Sequence, residues 1–176
     1  IQKYIKTYED GWEKLRNERY ARMLEMGIID QEHWPLPQWE DRVKPWDTID
    51  HKPWRIRNMA IYAAMVDHMD QAVGSLVEAL KKTKRMENTF IIYFHDNGAC
   101  PEHLSGNGWN TANNILAKAE KAGKTIAVGD KYDIPMGGPM TYGSVGHNWA
   151  NAQNTPMRRY KSNVHNGGAC TPAIVH

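Results

Sequence analysis

The sequence predicts an α/β fold, and two adjoining segments lead to that prediction. Residues 55–84 contain no proline and carry apolar side chains at three- and four-residue steps, which is the pattern of a long amphipathic helix. Six β-favouring residues, 89–94, follow after a short turn. This run has almost no polar face, which is typical of a central strand covered on both sides.

The rest of the first half is predicted to be helical and then extended. Residues 8–27 carry a partial apolar face and end at Gly27, which is placed as a C-terminal cap. Residues 31–54 hold four prolines and four tryptophans, so we expect an extended connection that its tryptophans anchor on the core. The methionines of helix 55–84 are interpreted as core packing rather than as a metal or cofactor site.

The second half is predicted to be rich in loops, because 11 of the 14 glycines lie after residue 88. We expect a short helix at 110–123, a short strand at 125–128 and a last apolar strand at 173–176. Residues 133–156 are rich in glycine, proline and asparagine and are interpreted as one long loop. Because loops carry chemistry more often than helices do, we expect the functional site after residue 88.

Composition excludes some classes of protein. The chain has 176 residues, and 22 basic against 20 acidic residues leave a formal charge of +2, which is too balanced to indicate a nucleic-acid partner. No apolar run approaches the ~20 residues that cross a bilayer. The chain starts at Ile1 without a signal-peptide pattern and stops in an apolar run, so we interpret it as an internal fragment. Cys100 and Cys170 allow one disulfide or none.

The strongest local signal is Asp96-Asn97-Gly98, directly after the predicted strand. Ligands in open α/β sheets bind beyond the carboxyl ends of strands. Carboxylate and amide oxygens are the ligands that Ca²⁺ and Mg²⁺ prefer. The alternative interpretation is an ordinary Asx-Gly turn, which the tripeptide alone favours.

A second signal is the basic run Arg158-Arg159-Tyr160-Lys161, followed by Gly167-Gly168. Cations beside glycine-rich backbone can hold a tetrahedral oxyanion. The alternative is a solvated basic turn. The sequence has no Walker or dinucleotide glycine motif, no Gly-x-Ser-x-Gly and no zinc-type histidine spacing.

Taken together, several linked stretches resemble the type I sulfatases, the arylsulfatase-like branch of the alkaline phosphatase superfamily. The resemblance runs from about Tyr8 to His176, and the order and spacing of the stretches make it specific. The stretches are 62–70 with Val73-Gly74, 88–98, 149–151, 154–161, Gly167-Gly168 and Thr171-Pro172.

The resemblance implies a fold, a cofactor and roles for particular residues. Residues 1–176 would form the central-to-C-terminal part of one catalytic domain, within a three-layer α/β sandwich built on a mixed sheet. The family hydrolyses sulfate esters with a formylglycine nucleophile and a divalent cation, usually Ca²⁺, with Mg²⁺ as the alternative. Asp96 and Asn97 match two metal ligands, Asp96 also lies beside the nucleophile, and Lys161 matches the lysine that contacts sulfate. The family also favours a periplasmic or secreted location.

The sequence departs from the family pattern at the nucleophile. No Cys-x-Pro-x-Arg signature is present, because Cys170-Thr171-Pro172-Ala173 is followed by Ile174 and Cys100-Pro101 by Glu102. We interpret Cys170 as a buried small apolar residue, and we note Asn166 where many relatives have Glu. The nucleophile would therefore lie outside this fragment, and we expect the fragment alone to be inactive and to bind Ca²⁺ weakly.

Two other functions remain open at this stage. One is a phosphonate or phosphodiester hydrolase of the same superfamily, and the other is a non-catalytic module that keeps the fold. The expected substrate is a small-molecule or carbohydrate sulfate ester, and we assign His147 as a substrate-binding residue. Other aromatic residues of 99–153 could line the same pocket or pack the loop: Trp109, Tyr132, Tyr142 and Trp149.

Overall fold

A computed structural model describes residues 1–104 and 110–176, without the side chains of 110–113. The chain folds into six helices and two small sheets within these residues. The helices are α1 Gln2–Tyr8, α2 Gly11–Glu25, α3 Lys52–Lys82, α4 Asn110–Lys121, α5 Gly146–Gln153 and α6 Asn166–Ala169. The strands are β1 Ile92–Phe94, β2 Ala127–Val128, β3 Thr141–Tyr142 and β4 Ala173–Val175.

The first half is mainly helical, as predicted, but the bounds of both predicted helices differ. The predicted helix 55–84 is α3, Lys52–Lys82, and the other change concerns α2. The predicted helix 8–27 is α2, and a separate helix, α1, precedes it. Gly27 follows α2 with φ +66°, and the amide of Ile28 reaches back to the carbonyl of Met23 at 3.0 Å. This is the left-handed C-terminal cap expected for a glycine at that position.

A core rich in tryptophan joins α2, α3, α5 and the connection before α3. Trp12 of α2 is fully buried, and its ring meets Trp46 at 4.7 Å and Trp149 of α5 at 5.3 Å, both edge to face. The Trp12 indole N–H donates to the carbonyl of Lys44 at 2.9 Å. The prediction that tryptophans of 31–54 anchor that connection is thereby confirmed for Trp46, and Trp54 is also buried.

Two expectations about burial were wrong for the described residues. The strand exists, but β1 pairs only with β4, antiparallel, and Phe94 is 61% exposed. Along α3, Met59 is buried while Met65 and Met69 are exposed. The apolar stripe of α3 lies over a groove against β1 and β4 rather than in a closed core, so the methionine stripe is only partly core packing.

The predicted loop 133–156 was also wrong in part. It contains β3, which pairs in parallel with β2, and the helix α5. Five of the eight α5 residues are buried, Trp149 among them. Burial against the tryptophan core stabilises this helix despite its glycine and asparagines, which are poor helix formers.

None of the helices within the described ranges is both long enough and apolar enough to span a bilayer.

Candidate active site

The Asp96–Asn97 turn lies directly after β1, as the sequence predicted. Asp96 is exposed and Asn97 is half-buried. The Asn97 amide nitrogen donates to the carbonyl of Gly98 at 2.8 Å, so the amide oxygen is the end that can face a cation. The turn therefore offers a carboxylate and an amide oxygen side by side.

A second turn, residues 158–168, packs against the first through backbone atoms. The Lys161 amide donates to the carbonyl of Ala99 at 3.1 Å, and the Gly98 amide donates to the carbonyl of Gly168 at 3.2 Å. A Cβ on Gly98 would overlap the carbonyl oxygen of Gly167. The two predicted parts of the site are thus adjacent, and their close approach requires glycine at position 98.

Asn154, which the sequence interpretation gave no role, links these two turns. Its side-chain oxygen accepts from the amide of Ala99 at 2.9 Å, and its nitrogen donates to the carbonyls of Arg159 at 2.8 Å and Gly167 at 2.7 Å. One side chain thereby satisfies three backbone groups that would otherwise lack partners at the turn contact.

Lys161 is half-buried, and its ammonium group faces Glu102. The Lys161 Nζ lies 3.5 Å from Glu102 Oε1, and the Cys100 thiol donates to Glu102 Oε2 at 3.0 Å. Burial and the Glu102 carboxylate raise the pKa of Cys100. Sequence reasoning missed Glu102, because nothing in the stretch Cys100-Pro101-Glu102 indicates a contact with a lysine so distant in the chain.

Arg158 and Arg159 contact a carboxylate rather than an open oxyanion site, and the Arg158 side chain is also 56% exposed, as the alternative of a solvated turn expects. Both guanidinium groups contact Glu40, which is 7% exposed, with Nε–O distances of 3.1 and 3.0 Å. Gly167 is buried against the carbonyls of this turn, and a Cβ there would overlap them. Lys161 differs from these two arginines, because its ammonium group lies beside Glu102 and Cys100 instead.

Cys170 is exposed and Cys100 is half-buried, and both are free thiols. The expectation that Cys170 is a buried apolar residue was wrong, because it directly follows the short helix α6 at the surface. Among the described residues, Cys100 and Cys170 do not form a disulfide with each other.

His147 lies in the first turn of α5, between two aromatic neighbours. Its ring stacks on His103 at 5.1 Å and meets Tyr160 edge to face at 5.4 Å. Burial lowers the pKa of His147 below its ordinary value of 6.5, and the nearby charges of His103 and Arg42 lower it further. The imidazole is therefore predominantly neutral near pH 7.

The other aromatic residues of 99–153 divide between packing and lining. Trp149 is 1% exposed and belongs to the tryptophan core, and Tyr132 stacks on His51 at 3.9 Å. Tyr142 lines a cavity of about 570 Å³ that also reaches Glu102. Trp109 lies outside the described residues.

Comparison with known proteins identifies the family. A family model described as Sulfatase matches residues 1–176. An arylsulfatase of Klebsiella aerogenes is 30% identical over 99% of this chain and 35% of its own length. An uncharacterized sulfatase of Schizosaccharomyces pombe is 30% identical over 99% of this chain and 30% of its own length.

The chain therefore spans about a third of the length of these curated relatives. The match to the family model extends over every residue, including both turns of the candidate site. The chain belongs to the sulfatase family, and its fold class is the alkaline-phosphatase-like α/β architecture of that family.

Proposed function

We propose that the protein hydrolyses sulfate esters, with Lys161 binding the sulfate and with Asp96 and Asn97 binding part of a Ca²⁺ coordination sphere. The observation that carries this proposal is the 3.1 Å hydrogen bond from the Lys161 amide to the Ala99 carbonyl. It supports the proposal because it joins the lysine to the turn that carries the acid–amide pair. The relatives named as sulfatases make a sulfate ester the favoured substrate class.

The donor atoms at Asp96 and Asn97 fit a hard cation in kind. Both residues offer oxygens, and Ca²⁺ takes six to eight oxygen ligands. Within residues 1–104 and 110–176, no group of three or more His, Cys, Asp or Glu side chains could hold a metal ion. Two residues supply only part of a coordination sphere, so we expect the 176-residue chain alone to bind Ca²⁺ weakly and to be inactive. When bound in the complete site, the cation polarises the sulfate oxygens.

Lys161 would act on the charge that develops as the ester S–O bond breaks. An ammonium group beside the leaving oxygen stabilises negative charge there more strongly in the transition state than in the ground state. Glu102, 3.5 Å away, orients the lysine side chain. Asp96 would also orient the nucleophile, a formylglycine that we place outside this chain, since neither Cys100 nor Cys170 lies in the required signature.

Replacing the lysine tests the proposal most simply. In the full-length protein, Lys161→Ala is expected to lower kcat/KM for an aryl sulfate by about 100-fold or more, as for other charge-stabilising groups. Lys82→Ala, an exposed lysine at the end of α3, is the matched control and leaves kcat/KM unchanged. A loss below threefold in Lys161→Ala would contradict the assignment.

The assignment of Asp96 as a metal ligand is tested by the content of bound calcium as well as by sulfatase activity. Asp96→Ala is expected to lose both bound calcium, measured by elemental analysis, and sulfatase activity. Asp133→Ala, another exposed aspartate, retains both. Calcium retained at wild-type stoichiometry in Asp96→Ala would show that Asp96 is not a ligand.

Substrate profiling separates the proposal from its alternatives. A sulfatase is expected to prefer an aryl sulfate over an aryl phosphodiester, and the reverse preference would indicate the phosphodiester or phosphonate hydrolase. No turnover of either compound by the full-length protein would indicate the non-catalytic module.

A further inference from the structure

A small pocket with a strongly basic lining lies beside the candidate site. Its volume is about 170 Å³, and five of its eight lining residues are basic. We call it the basic pocket, and its five basic residues are Arg42, Lys44, Arg55, His103 and His147. Its positive charge at neutral pH comes from Arg42, Lys44 and Arg55, since the His147 imidazole is predominantly neutral. The side chains come from the extended connection before α3, from α3 itself, from the segment after β1 and from α5.

The cations of the basic pocket form no salt bridge among the described residues, and the Asp130 carboxylate offsets only part of their charge. Among the described residues, no carboxylate lies within 4.0 Å of the charged groups of Arg42, Lys44 or Arg55. Residues 105–113 contain no Asp or Glu. Asp130 is the acidic group next to the pocket, and it lies 3.5 Å from His103.

This arrangement differs from that of the neighbouring arginines. Arg158 and Arg159 share the buried carboxylate of Glu40, whereas the cations of the basic pocket line a concave surface without such a partner among the described residues. Converging positive charges in a cleft focus the field and raise the local concentration of anions. The charge and concave shape of the pocket therefore favour an anionic group.

Two short chains of contacts connect the basic pocket to Lys161. His103 directly follows Glu102, whose carboxylate lies 3.5 Å from the Lys161 ammonium. On the other side, His147 contacts the ring of Tyr160, which directly precedes Lys161. The basic pocket and the Lys161 ammonium are thus connected through directly neighbouring residues.

We propose that the basic pocket binds a second anionic group, a carboxylate or another sulfate, of the same ester whose sulfate contacts Lys161. This inference rests on the proposed sulfate ester hydrolysis and specifies its substrate class. The preferred substrates are then polyanionic esters, and Arg42, Lys44 and Arg55 determine that preference.

Paired substrates test the proposal in the full-length protein. The probes are 4-nitrophenyl sulfate and aryl sulfates that carry a carboxylate on alkyl linkers of increasing length. The expected result is a KM at least about tenfold lower for the best carboxylate-bearing substrate, with an optimum at one linker length, since a tethered group must span a fixed distance. Arg42→Glu is expected to reduce this KM ratio to below threefold.

The control for charge and location is Arg85→Glu. Arg85 is exposed beyond the C-terminal end of α3, whereas Arg55 lies in its first turns, roughly 40 Å away at 1.5 Å per helical residue. Arg85→Glu is expected to keep the wild-type KM ratio. A ratio near one in the wild type, or one unchanged in both Arg42→Glu and Lys44→Glu, would overturn the proposal. A preference without a linker optimum would indicate an independent small-anion site and would overturn it as well.

A binding measurement keeps this test separate from the test of hydrolysis. Aryl sulfonates with the same carboxyalkyl linkers are not hydrolysed, so calorimetry measures their affinity whether or not the protein turns over sulfate esters. Tenfold tighter binding of the carboxylate-bearing sulfonate than of the plain sulfonate, lost in Arg42→Glu, supports the basic pocket even if hydrolysis is absent. Equal binding of the two sulfonates contradicts it even if hydrolysis is present.

Discussion

The tryptophan core and the candidate site are stabilised in different ways. Around Trp12, Trp46 and Trp149, aromatic rings pack edge to face and exclude water. At the contact between the 96–100 and 158–168 turns, backbone hydrogen bonds, the Asn154 side chain and close approach at glycines hold the structure. The first region depends on buried apolar area and the second on hydrogen bonds and on the absence of side chains.

This difference explains where polar chemistry can be placed. A packed apolar core would penalise an unpaired carboxylate or ammonium, whereas the turn contact leaves Asp96 exposed and Lys161 half-buried. The two regions should therefore respond to different substitutions. Loss of apolar volume should damage the core, and addition of a single methyl group should damage the site.

The largest expected effect on stability is at the centre of the tryptophan core. Trp149→Ala is expected to lower the free energy of unfolding by about 3–5 kcal/mol, because it removes a buried ring and leaves a cavity. Phe94→Ala removes an aromatic ring that is 61% exposed and is expected to cost under about 1 kcal/mol. Chemical denaturation of both variants measures the difference in the free energy of unfolding, and equal losses would contradict the assignment of Trp149 to a packed core.

A smaller effect is expected at the turn contact. Gly98→Ala places a methyl group against the Gly167 carbonyl, and such overpacking costs about 1–3 kcal/mol. Because the overlap separates the two turns, kcat/KM of the full-length protein should fall as well.

Gly74→Ala is the control for this substitution. Gly74 lies inside α3, and a methyl group there would extend into open space with no neighbouring side chain or turn within 4 Å. Alanine at this position is therefore expected to stabilise the helix by up to about 1 kcal/mol. Full activity in Gly98→Ala would mean that the turn contact does not position the site.

The smallest effect concerns the pH dependence of the helical region. Hydrogen bonds from Gln71, Tyr4 and Lys3 lower the pKa of Asp67 from 3.8 to about 2. The bonds from Tyr4 and Lys3 also connect α1 to α3. Because the folded-state pKa lies below the unfolded one, this stabilisation is complete above pH ~4 and is lost as the pH falls towards 2. Asp67→Asn should therefore be less stable than the wild type at about pH 6, and thermal melts should converge near pH 2. A stability difference between Asp67→Asn and the wild type that stays constant across this pH range would contradict the lowered pKa of Asp67.

Short sequence patterns predicted those elements whose formation depends on residues close together in the chain. The apolar period of α3 and the capping glycine after α2 are encoded within a few residues, and both predictions were confirmed. The position of the Asp96–Asn97 turn after β1 was predicted for the same reason.

Long-range partners could not be predicted in this way. Glu40 contacts Arg158, which is 118 residues away in the chain, so no local pattern indicates that the basic run is neutralised. The helix α5 has weak intrinsic propensity and depends on burial of Trp149. Glu102 and Asn154 acquire their contacts with the site only when the two turns come together.

The structure of the full-length protein with Ca²⁺ and inorganic sulfate tests the central claim most directly. We expect Asp96 and the Asn97 amide oxygen to ligate the cation at about 2.3–2.6 Å. The Lys161 ammonium should lie within about 3.2 Å of an oxygen of the same sulfate that the cation contacts. A sulfate held by the cation while Lys161 stays on Glu102, out of reach of every sulfate oxygen, would contradict the proposal.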